Sequence, residues 1–358
     1  MKKTIGIFIN TLQIGGAEKQ AIMLAKALKD YYTVYLIIFY GDLCDYRYLD
    51  IIKEEKIELI RLNGNLLKKL LRFYHILQSK RIEYLFTYLA TANVVGGLIG
   101  KLYVVKYIIA GIRNSQLSPF KRNIQRFLHN WVFDYSIFNN YSGAISLSAH
   151  GFRKSKIQII PNCFELNISP RLRKERKITT ILSVGRFVEQ KDYLTAIKAI
   201  TNLKKMINGQ YEFCYVIVGY GYLEKEIRSY INKYGLKKDV HIHINPDNIN
   251  EFYKKADIFL NTSLFEGVSN SIMEAMSFSL PIIATNAGDT DKLIKDGANG
   301  YLTKIKDDKT LAEKLYSLSN SASLRNEFGI SSYNHLRDHF SFDSFQSSYL
   351  SLIKEISK

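Results

Sequence analysis

The stretch that decides the fold is residues 263–276, which read SLFEGVSNSIMEAM. A short apolar run at 258–260 predicts a strand just before it, and the apolar positions of 272–278 predict a helix. The chain therefore passes from a strand into a helix within a few residues. Free backbone N–H groups at such a helix start favour an anion.

Two carboxylates flank this helix start, Glu266 in the loop and Glu274 in the helix, with seven residues between them. A carboxylate does not bind phosphate, but it accepts hydrogen bonds from sugar or ribose hydroxyls beside a phosphate. Ser271 and Glu274 also match a capping box, in which Glu274 would serve only the local helix start. The spacing by itself leaves both interpretations open.

Short apolar runs rich in β-branched residues alternate with helix-period segments along the whole chain, which is typical of parallel sheets covered by helices. We predict strands at 4–9, 34–39, 57–62, 83–88, 104–110, 135–138 and 157–160, and then at 181–184, 213–218, 240–244, 258–260 and 281–284. The fold class is therefore α/β, with two doubly wound, Rossmann-like domains and a ligand cleft at their strand ends.

A length of 358 residues fits two domains better than a single core. We predict an N-terminal domain at 1–168, a C-terminal domain at 177–340, and a helical segment at 341–358 that crosses back to the N-terminal domain. The basic run at 168–177 is interpreted as the linker. The 17 uncharged residues 84–100 contain polar residues and paired glycines, which favour a buried strand and helix over a membrane span.

A second candidate element, at 184–192, follows the first strand of the second domain. Gly185 permits a tight turn there, and Arg186 and Lys191 can converge above the strand end. Two cations would neutralise a diphosphate without a metal and stabilise charge that develops on a leaving group. The alternative is a solvated surface pair.

Glycines mark two further loops. Gly15 and Gly16 precede the first helix, where glycine amides can approach a phosphate. The segment 218–224 contains G-x-G after a strand, but Glu224 stands where a dinucleotide-binding fingerprint needs its third glycine. An NAD-dependent enzyme is therefore not predicted.

Together with 281–285 and 296–302, residues 263–276 resemble the E-x7-E signature of the retaining GT-B glycosyltransferases of family 4, the glycosyl transferases group 1. The resemblance implies that Glu266 contacts the transferred sugar and that Glu274 holds the nucleotide ribose. The resemblance also implies that the backbone amides of four residues face the donor: Gly267, Val268, Ser269 and Asn270.

The other two elements are also similar to segments of this family. Residues 184–192 match its G-R-x-x-x-x-K pattern, which implies that Gly185, Arg186 and Lys191 lie at the donor diphosphate. Gly15 and Gly16 resemble its glycine-rich N-terminal loop, which approaches the same diphosphate. The implied catalytic residues are Glu266, Arg186 and Lys191, with no metal and no cofactor apart from a nucleoside-diphosphate sugar as co-substrate.

The resemblance implies transfer of a hexosyl or N-acetylhexosaminyl group, with retention, from a UDP-linked sugar to a glycan or lipid-linked glycan in surface polysaccharide or capsule synthesis. The leaving diphosphate oxygen can take the acceptor proton, so a missing base does not oppose this expectation. Acceptor-side candidates are Asn93, Arg113 and Asn114. Two other functions stay open: a sugar-nucleotide epimerase of GT-B fold, and a non-catalytic nucleotide-sugar-binding protein.

Metal and redox signals are weak. His241 and His243 lie two residues apart on a strand without a Cys, Asp or Glu cluster, so we interpret them as a half-buried structural pair. Three widely spaced cysteines and an N-terminus that lacks a signal-peptide pattern predict a reducing cytoplasm.

The net charge of +17 is unevenly placed: residues 1–170 carry 23 Lys and Arg against 11 Asp and Glu (+12), whereas 171–358 carry 27 against 22 (+5). This excess predicts an anionic partner for the first half. Basic amphipathic segments at 66–77 and 120–132 favour peripheral contact with an anionic membrane, on the inner face of the plasma membrane. The alternative is that their apolar faces pack on the sheet. No nucleic-acid motif is present, so nucleic acid is not an expected partner.

Overall fold

Each half of the chain folds around its own parallel sheet in the computed structural model, which describes residues 2–13, 15–103, 105–112, 118–166, 168–209 and 211–357. Residues Met1–Cys163 and Phe342–Lys358 form unit 1, and Phe164–Ser341 form unit 2. The boundary between the units lies at 163–164, before the basic run that the sequence analysis interpreted as the linker.

Unit 1 contains a seven-stranded sheet in the order β3-β2-β1-β4-β5-β6-β7. Its strands are β1 (Thr4–Ile9), β2 (Thr33–Ile38), β3 (Glu58–Arg61), β4 (Tyr84–Tyr88), β5 (Tyr107–Ile112), β6 (Tyr135–Phe138) and β7 (Ile157–Ile159). Its helices are α1 (Gly16–Leu28), α2 (Tyr46–Glu54), α3 (Leu66–Ser79), α4 (Ala90–Leu102), α5 (Pro119–Trp131), α6 (Tyr141–Ala149) and, from the end of the chain, α14 (Phe342–Ile356).

Unit 2 contains a six-stranded sheet in the order β10-β9-β8-β11-β12-β13. Its strands are β8 (Ile178–Val184), β9 (Glu212–Gly219), β10 (Val240–Ile244), β11 (Ile258–Asn261), β12 (Ile282–Thr285) and β13 (Gly300–Thr303). Its helices are α7 (Tyr193–Ile207), α8 (Glu224–Lys233), α9 (Asn250–Lys255), α10 (Asn270–Ser277), α11 (Thr290–Leu293), α12 (Asp308–Ser319) and α13 (Ala322–Phe340).

The apolar character of the strands follows from burial on both faces. Along β1, Ile5, Ile7 and Ile9 pack into the cluster that contains residues of α1 and α14. The intervening Phe8 packs with Ile37 and residues of α3 on the opposite face. Successive side chains of a strand point to opposite faces, so a strand covered on both sides reads as an unbroken apolar run.

Most predicted strands are confirmed, and the differences are local. The uncharged stretch 84–100 forms β4 and most of α4, as predicted, and no described helix is long and apolar enough to cross a bilayer. Strand β13 at Gly300–Thr303 was not predicted, because its four residues GYLT hold only two adjacent apolar side chains, which is too short a run to indicate a strand.

The predicted linker is wrong as a free connector. Arg173 lies within it, yet its side chain is only 8% exposed. Its guanidinium donates hydrogen bonds to the backbone carbonyls of Ala256, Phe278 and Ser279 in unit 2. Burial lowers the pKa of Arg173 to about 10, which still leaves the group charged at neutral pH. The basic run is therefore part of the unit 2 structure around Arg173.

We expect Arg173→Ala to lower the free energy of unfolding of unit 2 by about 3 kcal/mol or more, because a hydrogen bond to a charged group contributes roughly 1.5–3 kcal/mol. Chemical denaturation followed by circular dichroism measures the change. Arg176→Ala is the matched control, since within the described residues that exposed side chain donates to one group, the Lys255 carbonyl at 3.1 Å. Equal effects of the two substitutions would contradict an anchoring role for Arg173.

Candidate functional site

The site candidates of unit 2 meet where the strand order reverses. Strand β8 starts the sheet and lies between β9 and β11, so the loops that follow β8 and β11 leave the sheet side by side. In open α/β sheets such a switch point is the usual ligand site. The two loops hold Arg186 and Lys191 on one side and Glu266 on the other.

Hydrogen bonds fasten these two loops together. The Thr262 hydroxyl donates to the backbone carbonyls of Lys191 and Asp192 at 2.9 and 3.0 Å. The Leu264 amide donates to the Gln190 carbonyl at 2.8 Å, and the Gln190 side chain donates to the Phe265 carbonyl at 2.8 Å. The single 3₁₀ turn Glu189–Lys191 therefore holds a fixed position against the end of β11.

Lys191 and Glu266 form an ion pair at the centre of this arrangement. Their side chains are only 15% and 8% exposed, and the Ser263 hydroxyl donates to the same Glu266 oxygen at 2.7 Å. A partly buried carboxylate needs such partners, because removing a charge from water is expensive unless it is paired. The sequence pattern predicted that Lys191 converges with Arg186, whereas in the structure Lys191 pairs with Glu266.

Arg186 stands apart from this pair. Its side chain is exposed, and no residue in the described part of the chain forms a hydrogen bond or ion pair with its guanidinium. The structure therefore brings Lys191 and Glu266 into contact but does not draw Arg186 to them.

The capping-box interpretation of Glu274 is wrong. Helix α10 begins at Asn270 with Ser269 as its N-cap, so Glu274 lies beyond the position that a capping box requires. Its carboxylate instead accepts a hydrogen bond from the Tyr253 hydroxyl at 2.7 Å. Burial, and then the Glu274 charge, raise the pKa of Tyr253 well above its usual value, so this phenol remains a donor. Glu274 is thus held by α9 rather than by its own helix start.

The start of α10 offers backbone donors. Among the described residues, none supplies a hydrogen-bond acceptor to the amides of Gly267, Val268, Ser269 and Asn270. The Val268 and Ser269 side chains are buried, which fixes the backbone between them. Free N–H groups at a helix start are suited to an anion or to polar oxygens of a ligand.

Gly288, which the sequence analysis did not select, determines where Glu266 lies. Its φ is +61°, and a Cβ atom there would lie 1.8 Å from the Glu266 carbonyl oxygen. The loop after β12 therefore touches the backbone of Glu266 directly, and only glycine allows this approach. The sequence did show a glycine a few residues after a predicted strand. It did not show that this glycine contacts the backbone of Glu266.

The G-x-G segment after β9 has a packing role of the same kind. A Cβ atom on Gly219 would lie 1.9 Å from the Gly185 carbonyl oxygen, and one on Gly221 would lie 2.5 Å from the Phe187 carbonyl oxygen. The Phe187 amide also donates to the Tyr220 carbonyl at 2.7 Å. These glycines let the loop after β9 support the loop that carries Arg186 and Lys191.

The glycine loop of unit 1 begins a helix, as predicted. Gly15 is the N-cap of α1, and Gly16 is its first residue and is exposed. Glu18 lies over this start, since a Cβ atom on Gly15 would lie 2.3 Å from a Glu18 carboxylate oxygen. The Tyr48 hydroxyl donates to the Gly15 carbonyl at 3.1 Å and holds the loop from the other side.

The acceptor-side candidates are only partly covered by the structure. Asn93 is 2% exposed, and its side chain forms hydrogen bonds within unit 1. Its amide accepts from the Thr87 hydroxyl at 2.7 Å and donates to the Gly111 carbonyl at 3.4 Å, which connects α4 to β4 and β5. Arg113 and Asn114 lie outside the described residues.

The histidine pair is more exposed than predicted. His241 and His243 both have exposed side chains, and the His243 ring lies against that of Phe252. Across the ranges that the structure describes, no three His, Cys, Asp or Glu side chains gather as metal ligands would. All three cysteines are free thiols.

The region that contains this site is similar to a known protein family. The family model described as "Glycosyl transferases group 1" matches residues 165–335, which is most of unit 2. Residues 165–335 therefore form a group 1 glycosyltransferase domain. The chain is an enzyme of the glycosyltransferase class, and the matched region contains Glu266, Glu274, Arg186 and Lys191.

Two curated proteins are similar to two thirds or more of this chain. A Campylobacter jejuni protein named "GalNAc-alpha-(1->4)-GalNAc-alpha-(1->3)-diNAcBac-PP-undecaprenol alpha-1,4-N-acetyl-D-galactosaminyltransferase" is 25% identical over 98% of this chain and 98% of its own. An Escherichia coli "UDP-Gal:alpha-D-GlcNAc-diphosphoundecaprenol alpha-1,3-galactosyltransferase" is 24% identical over 67% of each chain.

Solved structures identify the architecture. Anabaena Alr3699/HepE, crystallised in complex with UDP, superposes with a TM-score of 0.83 at 17% identity, covering 98% of this chain and 100% of that one. At this identity the likeness concerns the fold, which is the GT-B fold of two Rossmann-like domains. The fold class predicted from the sequence is confirmed.

In this glycosyltransferase, we expect Gly288→Ala to displace Glu266 and to lower the transfer rate strongly. Gly235→Ala is the matched control, because Gly235 has a similar φ of +67° with no atom within 4 Å of an added Cβ. Both substitutions carry the left-handed backbone strain of about 1–2 kcal/mol, which denaturation measures. A Gly288→Ala enzyme as active as Gly235→Ala would show that the contact does not position Glu266.

Proposed function

We propose that this enzyme transfers a hexosyl or N-acetylhexosaminyl group from a UDP-sugar to a lipid-linked glycan, with retention and without a metal, in surface polysaccharide synthesis. The observation that carries the proposal is the meeting of Lys191 with Glu266 beside the free amides at the start of α10. These groups supply a cation, a carboxylate and backbone donors within one strand-end site of unit 2.

Lys191 is proposed to bind the donor diphosphate. Its ammonium is already held at the strand end by the 3₁₀ turn that Thr262 and Leu264 fasten. A donor phosphate would compete with Glu266 for this cation, and Arg186 would supply a second positive charge from its exposed position. Positive groups fixed near the departing diphosphate stabilise the charge that grows as the glycosidic bond breaks.

Glu266 and Glu274 are proposed to bind hydroxyl groups of the donor. A carboxylate with spare lone pairs accepts hydrogen bonds from sugar or ribose hydroxyls. Glu266 keeps one oxygen on Ser263 and Lys191, so its other oxygen is available to the transferred sugar. Glu274, oriented by Tyr253, is the candidate for the nucleotide ribose. These roles follow the family resemblance of the motif.

The activities after which two relatives are named support the proposed donor, acceptor and stereochemistry. The Escherichia coli relative is named for UDP-Gal as donor and for an α-1,3 product, and UDP-galactose carries its sugar in α-linkage, so that reaction retains configuration. Both named relatives act on diphosphoundecaprenol-linked glycans. We extend this class of donor and acceptor to the present chain.

A membrane-linked acceptor agrees with the charge of the first half of the chain. Residues 1–170 carry a net charge of +12, which favours approach to anionic lipid. We propose that the enzyme works at the cytoplasmic face of the plasma membrane, bound peripherally through unit 1. A sugar-nucleotide epimerase and a non-catalytic binding protein are the alternatives that the experiments below separate.

We expect UDP-sugars to raise the melting temperature more than GDP- or ADP-sugars, and then to yield UDP and an α-linked product with pooled undecaprenyl-diphosphate-linked glycans. Product anomers are assigned by nuclear magnetic resonance. Glu266→Gln keeps the hydrogen bond with Ser263 and is expected to lower turnover by about 100-fold or more with donor binding retained. C2 epimerisation of UDP-N-acetylglucosamine, or donor binding without UDP release, would contradict transferase activity.

We expect Arg186→Ala to weaken UDP-sugar binding by about 10- to 100-fold, because a hydrogen bond to a charged group contributes roughly 1.5–3 kcal/mol. Isothermal titration calorimetry measures the affinity. Arg228→Ala is the control, since Arg228 is also an exposed arginine of unit 2 and its partner is Glu224 on the same helix. Unchanged affinity in Arg186→Ala would remove Arg186 from the diphosphate site.

A further inference from the structure

Helix α5 is apolar on two different faces. Its inner face packs into unit 1 through Leu128 and the fully buried His129. Its outer face carries four large apolar residues spaced so that they lie on one side of the helix. We call them the α5 apolar stripe: Phe120, Ile124, Phe127 and Trp131, which are 75%, 36%, 58% and 65% exposed.

The apolar residues of 120–132 divide between the core and the surface. Leu128 packs in the core, as the alternative interpretation of this segment expected, whereas the residues of the α5 apolar stripe are exposed. Helix α3 shows the same division, with Phe73, Ile76 and Leu77 buried and Leu66, Leu67 and Leu71 exposed. Contiguous exposed aromatic and aliphatic groups on a folded protein indicate an interaction surface.

Positive charges border the stripe. Lys121, Arg122 and Arg126 lie on α5 itself, which contains no acidic residue, and the Arg153 guanidinium lies 4.6 Å from the centre of the Trp131 ring. Within residues 118–166 there are six Lys and Arg against two acidic residues. One of those two acidic residues, Asp134, accepts a hydrogen bond from the Ile108 amide, so its carboxylate lies against β5.

The helix is held firmly in place. The Asn130 side chain donates to the Gly151 carbonyl and accepts from the Arg153 amide, each at 3.0 Å. His129 contacts the Ser136 hydroxyl at 2.8 Å, and burial lowers the pKa of this histidine. The exposed aromatic rings are therefore presented by an anchored helix, without the need to order it on binding.

An apolar groove also lies in unit 1, outside α5. It measures about 500 Å³ and is lined by residues of α6 and β7, with Lys154 at one side. Lys154 follows Arg153, the residue stacked on Trp131. Ile145 of α6, also in the groove lining, is 70% exposed. Unit 1 thus exposes a second apolar feature with a basic neighbour.

We infer that the α5 apolar stripe docks unit 1 onto an anionic lipid bilayer, with the aromatic rings among the acyl chains and the lysines and arginines at the headgroups. Exposed Trp and Phe beside cations suit the interface between hydrocarbon and charged headgroups. A second copy fits less well, because a two-fold contact through this face would set the same cations against each other. The inference gives the membrane contact of the proposed function a location, yet it requires no catalysis.

The experiment uses Trp131, which is the sole tryptophan of the sequence. Its fluorescence in the full-length protein is recorded with vesicles of phosphatidylcholine alone and with vesicles that also contain phosphatidylglycerol. We expect a blue shift, and quenching by brominated acyl chains, only with phosphatidylglycerol. No shift and no quenching would overturn the inference, as would a shift that grows with protein concentration in the absence of vesicles.

Paired substitutions test each component. Phe120→Ser with Phe127→Ser keeps the reporter and is expected to weaken vesicle binding at least tenfold. Lys121→Glu with Arg122→Glu is expected to abolish the preference for phosphatidylglycerol. Lys237→Glu with Lys238→Glu is the matched control, because it makes the same charge change at two exposed neighbours in unit 2. Equal binding of all three variants and the wild type would overturn the inference.

A transfer assay separates this inference from the proposed function. With a water-soluble, short-chain acceptor, Phe120→Ser with Phe127→Ser is expected to keep wild-type activity, whereas activity on a vesicle-borne acceptor falls. Absence of transfer with either acceptor in the wild type would contradict the proposed function while leaving vesicle binding intact. Equal losses with both acceptors would overturn the docking role of the stripe.

Discussion

The ion pair between Lys191 and Glu266 depends on one topological constraint, the adjacency of β8 and β11. Because these two strands pair directly, the turn after β8 and the loop after β11 share an edge of the sheet. The Thr262 hydroxyl and the Leu264 amide then fix the turn against the strand end. Two residues 75 positions apart in the sequence thereby become partners. Every other feature of the unit 2 site is arranged around this contact.

The supporting shell consists largely of glycines and buried polar side chains. Gly288 approaches the backbone of Glu266, Gly219 approaches Gly185, and Tyr253 orients Glu274. The two glycine contacts tolerate no added atom, so residues without charge help to set the position of the loops that carry the charged groups. A site of this kind keeps its donors and acceptors in position before a ligand arrives, which is the condition for electrostatic stabilisation of a reaction.

The sequence predicted the α/β class and most strands, because burial on both faces leaves unbroken apolar runs such as Ile5 to Ile9. It also selected Glu266 and Lys191, whose motifs follow strand ends. It could not predict that these two pair with each other, or that Tyr253 donates a hydrogen bond to Glu274, because both contacts join distant segments. The buried Arg173 was misread as linker for the same reason: its three carbonyl partners lie more than 80 residues away.

The position of α14 has a consequence for the order of folding. Unit 2 is continuous in sequence, whereas unit 1 needs α14, whose Phe345, Tyr349 and Leu352 complete its core. The Tyr349 hydroxyl meets that of Tyr88 at 3.2 Å. During synthesis on the ribosome, the first 163 residues emerge without this helix and wait with part of their apolar surface uncovered. Unit 1, most of which is synthesised first, can therefore complete its core only after unit 2 has been synthesised.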